Sequence, residues 1–119
     1  MFHLRTTFAI AALPILVATG CSHKQPVGLG PKAAQASPIA INQISAKAQN
    51  VTIAGTMIDK CPVAGCWFHV KDATGVIKVD TKNAGFVVTD VPIGSHVVVS
   101  GKPLKGESGT ISALRMTYQ

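Results

Sequence analysis

The stretch WFHVKDATGVIKV, residues 67–79, decides the fold class of this chain. Its centre, Asp-Ala-Thr-Gly at residues 72–75, is a turn signal between two runs rich in apolar and β-branched residues. Alternation of apolar and polar residues with a period of two is typical of a strand with one buried face. Two such runs around a short turn predict an antiparallel hairpin, with strands at residues 66–70 and 76–80.

Further strand patterns lie on both sides of this hairpin. Residues 51–58 alternate apolar with small or polar side chains, residues 96–100 read His-Val-Val-Val-Ser, and residues 110–118 supply a fifth run. Residues 81–92 include Asn, Gly and Pro and predict a connecting segment, with at most one short strand or helical turn. Residues 39–44 are too few for periodicity to choose between a short helix and an extra edge strand.

Five short strands in this order predict an all-β protein, a five-stranded Greek-key barrel of the OB-fold class. Three runs, residues 51–56, 67–79 and 91–101, resemble the anticodon-binding and helicase-type OB modules. The shared motifs are a V-x-(I/V)-x-G opening, a D-x-x-G-x-I turn and a G-x-x-V-x-V-x-G fourth strand. A Gly-Cys-Trp element at residues 65–67 resembles small exported bacterial OB-fold proteins. The resemblance covers about residues 51–118 and implies a fold rather than one function.

The N-terminal segment predicts export. Residues 1–20 carry one basic side chain, Arg5, before an apolar stretch that is too short for an ordinary membrane span. Residues 17–21, Val-Ala-Thr-Gly-Cys, resemble the lipobox of bacterial lipoproteins. In that family the signal is cut before the cysteine, whose sulfur takes a diacylglycerol, and the new amine is acylated. The resemblance therefore implies a signal peptide at residues 1–20 and lipidation, with palmitate-type chains, at Cys21.

The lipid anchor implies a location. Ser22 follows the cysteine, and the lack of an aspartate there favours the outer membrane in that family. We therefore expect a lipid-anchored protein of the cell envelope, on the outer membrane and facing the periplasm. The alternative is an ordinary cleaved signal that leaves Cys21 as a free thiol, although an odd free cysteine is a liability in an exported chain.

The mature chain is predicted to hold one small domain. Of 119 residues, fewer than a hundred remain after the signal, enough for a single core. Residues 21–37 are rich in Pro, Gly, Ala, Gln and Lys and predict a flexible tether. Residues 38–119 form the predicted OB-fold domain, whose eight basic and five acidic side chains give a net charge of +3. This balance is typical of a solvated, mildly basic surface and is not by itself a nucleic-acid footprint.

Cys61 and Cys66 enclose four residues between the first two predicted barrel strands. In an oxidising compartment the default for such a pair is a structural disulfide, which on the chain-entropy model stabilises by about 2 kcal/mol. A redox pair normally has two intervening residues at the start of a helix. Thiol–disulfide exchange is therefore not predicted here.

A copper-type metal site is a further hypothesis for this pair. Two thiolates and the thioether of Met57 are a ligand combination that suits Cu(I). His69 lies three residues after Cys66, so strand alternation directs the two side chains to opposite faces. Methionines on such strands are more often core residues. Cys61, Cys66 and Met57 are accordingly weak metal candidates, and no cofactor is predicted.

Strand alternation also predicts a ligand face. If Phe68 and Val70 face the core together with Ile77 and Val79, the other side of this hairpin presents an aromatic ring among basic side chains. OB-fold proteins bind oligonucleotides and oligosaccharides on this side. The candidate ligand-binding residues are Trp67, His69, Lys71 and Lys78.

These patterns predict a non-enzymatic binding module. The sequence has no Ser-His-Asp ordering, paired glutamates, phosphate loop or histidine-rich metal motif. The expected ligand is a small anionic molecule, a glycan or another envelope protein, and the membrane is contacted through the lipid anchor. The alternative is single-stranded nucleic-acid binding, since a ring beside lysines suits base stacking. The few aromatic residues and the lack of an arginine cluster make it the less favoured hypothesis.

Overall fold

The elements of the chain are nearly all strands. A computed structural model describes residues 12, 14–15, 20, 25–32 and 35–119. Cys21 and most of the predicted signal peptide lie outside these residues, so export and lipidation stay predictions. Among the described residues, no helix is both long and apolar enough to cross a bilayer. The elements are β1 Val27–Leu29, a 3-10 helix Ile41–Gln43, β2 Val51–Lys60, β3 Trp67–Lys71, β4 Val76–Asp80, β5 His96–Pro103 and β6 Thr110–Tyr118.

Strands β2 to β6 close into a five-stranded barrel. β2 pairs antiparallel with β3 on one side and with β5 on the other, and β3 pairs antiparallel with β4. β6 closes the barrel, because it runs antiparallel to β5 and parallel to β4. This mixed, closed arrangement is consistent with an OB-like barrel. The predicted all-β fold class is confirmed.

The barrel core follows the predicted alternation. Phe68 and Val70 of β3 are fully buried, and Ile77 and Val79 of β4 lie beside them in the core. Burial of each such side chain contributes about 1.5–3 kcal/mol, relative to leaving it exposed. Met57 is also fully buried, which is the core position that is usual for a strand methionine. Among the described residues, the buried hydrophobic side chains of the core are those of Val51, Ile53, Met57, Phe68, Val70, Ile77, Val79, Val88, Val91, Val97, Val99, Ile111, Ala113 and Met116.

A glycine allows β2 to bend from one neighbour to the other. Gly55 lies in the middle of β2, where the strand pairs with both β3 and β5. A Cβ atom at Gly55 would overlap the carbonyl oxygen of Lys71. Glycine in a strand interior often marks such a close backbone approach. The small residue that ends the V-x-(I/V)-x-G motif is therefore required by barrel closure.

Part of the predicted tether, residues 21–37, contacts the barrel. β1 pairs antiparallel with the end of β6, placing Val27 opposite Tyr118. Further along, the side-chain amide of Gln35 donates to the carbonyl oxygen of Val98 at 3.1 Å. Composition indicates only how little apolar area the segment can bury. It does not indicate that β6 extends past β4 and offers backbone groups to which a passing chain can bond.

Residues 39–44, for which the sequence left two interpretations open, contain the 3-10 helix. The amide of Ile41 donates to Oδ2 of Asp72 at 2.9 Å. Oδ1 of the same carboxylate accepts from the amides of Thr74 and Gly75 in the β3–β4 turn. Asp72 thus joins the segment before the barrel to the hairpin turn. The Thr74 hydroxyl also donates to Oδ1 of Asp72. This bond has the largest effect on the pKa of Asp72, which it lowers, together with the amide hydrogen bonds, from 3.8 to about 2.

Candidate functional site

The outer side of β3 and β4 brings three of the predicted ligand residues together. The rings of Trp67 and His69 meet edge to face, with centroids 5.4 Å apart. The Nζ atom of Lys78 lies 5.8 Å from the centroid of the Trp67 ring, within the range of a cation–π contact. All three side chains are half-buried. We call this cluster, together with Asp59 described below, the Trp67 face.

Lys71 lies apart from this cluster. It is exposed at the far end of β3, opposite Val76 of β4. It lies four residue positions along the extended strand from Trp67, a distance of about 13 Å along the backbone. Of the four candidate residues, the structure therefore joins Trp67, His69 and Lys78 and leaves Lys71 outside.

Asp59 is a member of this face that the sequence interpretation missed. Its Oδ1 atom lies 2.6 Å from Nδ1 of His69. A β-bulge causes this contact, because the pairing of β2 with β3 skips Ile58 between Met57 and Asp59. One extra residue reverses the alternation. Without it, Asp59 would stand opposite Phe68 and point into the core.

The hydrogen bond to Asp59 orients the imidazole of His69. An ionised carboxylate only accepts hydrogen bonds, so Nδ1 of His69 carries the proton that is shared with it. Nε2 is then the remaining hydrogen-bonding atom of the ring. The pair presents an acceptor-rich carboxylate and an imidazole edge beside the Trp67 indole.

The charges around Trp67 are mixed rather than uniformly basic. Asp80 lies opposite Trp67 in the β3–β4 register. Its carboxylate pairs with Lys82 at 3.7 Å. Together with Asp59 and Lys78, this gives the surroundings of the indole both signs of charge. A surface built to attract phosphates would carry mainly positive charge.

The cysteine loop, residues 61–66, adjoins this face at Trp67. In the described part of the chain, Cys61 and Cys66 are half-buried free thiols, so the disulfide between them stays a prediction. The amide of Gly65 donates to the carbonyl oxygen of Cys61 at 3.3 Å, which closes one turn between the two cysteines. The amide of Cys61 donates to the carbonyl oxygen of Trp67 at 2.9 Å. The loop is thus a compact turn anchored to the first residue of β3.

This turn makes Cys61 unusually acidic. The pKa of its thiol falls from 9.0 to about 7, because the backbone amides of Ala64 and Val63 donate to the sulfur. The side chain of Cys66 hydrogen-bonds to the same sulfur and adds a smaller effect in the same direction. Desolvation opposes these contacts and is outweighed by them.

The segment after β4 holds the cysteine loop in place. The carbonyl oxygen of Gly65 accepts from the amide of Val88 and from the hydroxyl of Thr81, both at 3.1 Å. The amide of Thr81 donates to the carbonyl oxygen of Cys66 at 2.9 Å. Gly65 has a φ of 59°, and a Cβ atom there would lie 2.7 Å from the amide nitrogen of Thr89. Only glycine combines this backbone angle with this close approach.

Lys60, the last residue of β2, fixes that segment in turn. Its ammonium donates to the carbonyl oxygens of Val88, Thr89 and Val91, at 3.3, 2.7 and 2.6 Å. Three charge-assisted hydrogen bonds from one side chain are a strong local constraint. The sequence offered no signal for this role, since a lysine at a strand end is ordinarily a solvated surface residue.

The described surface carries two clefts of several hundred Å³, one of which adjoins the cysteine loop. One, of about 460 Å³, opens beside Cys66 and is bordered by the segment after β4, including the partly exposed ring of Phe86. A larger one, of about 600 Å³, lies between Pro31, Gln35 and Ala36 on one side and residues of β2, β5 and β6 on the other. Arg115 is its charged lining residue, and it shares no lining residue with the Trp67 face. The smaller cleft is lined by Ala64, Cys66, Thr81, Lys82, Gly85, Phe86 and Val87.

The copper-type hypothesis finds no three-ligand cluster to support it. Among the described residues, no three or more His, Cys, Asp or Glu side chains are grouped to hold a metal ion. The thioether of Met57, the proposed additional ligand, belongs to the barrel core.

Comparison with known proteins does not assign this chain to a family. Models of protein families give no match to the chain, and curated proteins give no significant match. The barrel alone does not indicate a function, because one fold supports many unrelated sites. The functional proposal therefore rests on the Trp67 face and the cysteine loop.

Proposed function

We propose that this protein is a lipid-anchored binding module of the bacterial cell envelope, and that its Trp67 face is a non-enzymatic site that binds a glycan. One observation carries the ligand class: the half-buried indole of Trp67 lies beside the hydrogen-bonded pair of His69 and Asp59. Aromatic rings accept the CH-rich faces of sugar rings, and a carboxylate and an imidazole can bond the sugar hydroxyls. OB-fold barrels bind oligosaccharides on this side.

The charges of the face favour a glycan over the other predicted ligands. An anionic molecule or a nucleic-acid backbone would meet Lys78 but also the carboxylate of Asp59, whose side chain is 53% exposed. Like charges at about 4 Å repel by about 1 kcal/mol even in water. A neutral sugar uses both groups, because its hydroxyls donate to the carboxylate and accept from the ammonium.

The location is proposed from the N-terminal sequence. Residues 1–20 and Cys21 have the order of a lipoprotein signal and its modified cysteine. Labelled palmitate should be incorporated into the wild-type chain when it is produced in a bacterium. A Cys21→Ser chain should incorporate none and should leave the membrane fraction on mild washing. Equal labelling of the two chains would reject the anchor.

The ligand class is tested by calorimetry and by fluorescence of the single tryptophan. Full-length protein in detergent is titrated with the tetramer of N-acetylglucosamine and, separately, with a twelve-residue oligothymidylate. We expect saturable heat and a shift of Trp67 emission with the sugar. Trp67→Ala should abolish the heat, whereas Lys71→Ala, on the same strand but outside the cluster, should leave it unchanged. If the protein binds oligothymidylate and not the sugar, with an affinity that falls steeply as salt is added, the glycan proposal is rejected and the Trp67 face is a nucleic-acid site.

A further inference from the structure

We infer that the cysteine loop is a thiol–disulfide exchange site in which Cys61 is the attacking thiol and Cys66 the resolving thiol. The partner is a cysteine-containing polypeptide. This role is independent of glycan binding, because it uses a different set of residues.

The first step of the argument is the backbone of the turn. The sulfur of Cys61 accepts hydrogen bonds from the backbone amides of Ala64 and Val63. In thioredoxin-like pairs, the amides at a helix N-terminus stabilise the thiolate. The four-residue spacing and the lack of a helix led the sequence interpretation away from exchange, but this turn supplies comparable donors without a helix. With a pKa of about 7, roughly half of the Cys61 thiols are thiolates at neutral pH.

The second step is the asymmetry of the pair. The side chain of Cys66 contributes to the lowered pKa of Cys61, so the two side chains lie close together in the turn. The backbone amides stabilise the thiolate of Cys61, and the thiolate is the attacking form of a thiol, so Cys61 is assigned as the attacking residue. Cys66 is then placed to displace whatever has joined to the Cys61 sulfur.

The third step is that the loop is fixed while both cysteines are reduced. Gly65 and Cys66 accept hydrogen bonds from Thr81 and Val88, and Lys60 holds the segment that carries Val88. Exchange between the two cysteines therefore needs rotation of side chains and little movement of backbone.

The chemistry balances without an added cofactor. The Cys61 thiolate attacks one sulfur of a partner disulfide, the partner S–S bond breaks, and the departing thiolate takes a proton from water. Cys66 then loses its proton and attacks the Cys61 sulfur, so that the Cys61–partner bond breaks and the second partner sulfur leaves as a thiolate, which is protonated. The partner gains two electrons and two protons, and the cysteine pair loses them. With a partner dithiol, the same steps run in reverse.

The surroundings of the pair fit a polypeptide rather than a small charged disulfide. Val63 is 88% exposed at the tip of the loop, and Val87 is 52% exposed on the wall of the cleft beside Cys66. Phe86 lines the same cleft of about 460 Å³. An apolar side chain next to a partner cysteine would pack here and would hold its sulfur near the pair.

The test uses the full chain in detergent with Cys21→Ser, so that Cys61 and Cys66 are its only thiols. The probe is a fluorescein-labelled decapeptide with one internal disulfide and a leucine beside each cysteine. The reduced protein should reduce the peptide at a rate that rises to half its maximum near pH 7. Cys66→Ser should accumulate a mixed disulfide on a non-reducing gel, and Cys61→Ser should form none. Absence of the mixed disulfide in a Cys66→Ser protein with an unchanged circular dichroism spectrum would overturn the proposal.

A redox titration separates exchange from a permanent staple. In glutathione buffers of stepped composition, the wild-type pair should pass reversibly between dithiol and disulfide, as counted by mass after alkylation. A pair that stays oxidised in every buffer is a structural disulfide, and the exchange site is then rejected. Titration with the N-acetylglucosamine tetramer in the same sample keeps the two proposals distinguishable, because glycan heat should persist in Cys61→Ser.

Discussion

The Trp67 face and the cysteine loop are neighbours in sequence, yet the chain builds them in different ways. The face lies on two paired strands, and alternation and register set the direction of each side chain. The cysteine loop takes its shape from residues 81–91, which reach it from beyond β4. Its distinctive property, the acidity of Cys61, comes from backbone amides rather than from a charged side chain. A single side-chain substitution should therefore change the binding properties of the face. The acidity of Cys61 should instead change when the contacts between the loop and residues 81–91 are removed.

The largest effect is expected from a variant that breaks the contact between the cysteine loop and residues 81–91. Gly65→Ala places a Cβ atom against the amide of Thr89 and strains a φ of 59°. We expect a loss of about 2–4 kcal/mol in the free energy of unfolding, measured with urea. Iodoacetamide labelling should also show the pKa of Cys61 moving up toward its ordinary value.

Gly85→Ala is the matched control for that variant. Gly85 has a φ of 78°, but a Cβ atom there meets nothing within 4 Å. Only the backbone strain remains, about 1–2 kcal/mol. If both variants lose the same stability and Cys61 keeps its acidity in both, the close approach at Thr89 does not hold the loop.

A smaller effect is expected at Lys60. Lys60→Met keeps the length of the side chain but leaves three carbonyl oxygens without the ammonium. We expect a loss of about 1–3 kcal/mol in urea unfolding, together with faster amide exchange at Val88. The exposed Lys71, changed in the same way, should alter stability by less than about 0.5 kcal/mol. An equal effect at the two lysines would contradict the structural role of Lys60.

The Trp67 face should show the opposite behaviour, with lost binding and retained stability. Asp59→Asn removes a carboxylate that is 53% exposed, so unfolding should change by less than about 1 kcal/mol. Affinity for the N-acetylglucosamine tetramer should fall about tenfold, because one charged acceptor is lost. Calorimetry measures the affinity, and a tighter complex would indicate that the ligand is an anion.

The smallest effect concerns the turn at the far end of the β3–β4 hairpin. The pKa of Asp72 is lower in the folded chain than its ordinary 3.8, so ionisation favours folding. This stabilisation is complete above about pH 4 and disappears as the pH falls through about 2. Acid titration followed by circular dichroism should show it, and Asp72→Asn should remove this part of the pH dependence. A wild-type profile that matches Asp72→Asn would contradict the assignment.

The strands and the outward side chains of β3 were predictable because alternation is a local property. Asp59 was not, since the bulge at Ile58 reverses the alternation within a single strand and leaves no compositional trace. β1 was missed because its pairing depends on the free edge of β6 rather than on its own residues. The acidity of Cys61 depends on which amides turn toward its sulfur, and the identity of Pro, Val and Ala does not specify that.

The position of β6 has a consequence for how the molecule assembles. This strand pairs with β1, β4 and β5, so it closes the barrel, and it follows the other described strands in sequence. A polypeptide delivered with its N-terminus first, by a ribosome or through a translocation pore, has an open sheet until β6 arrives. The order of delivery thus delays closure until the other barrel strands are present, and closure can then follow as a single late event.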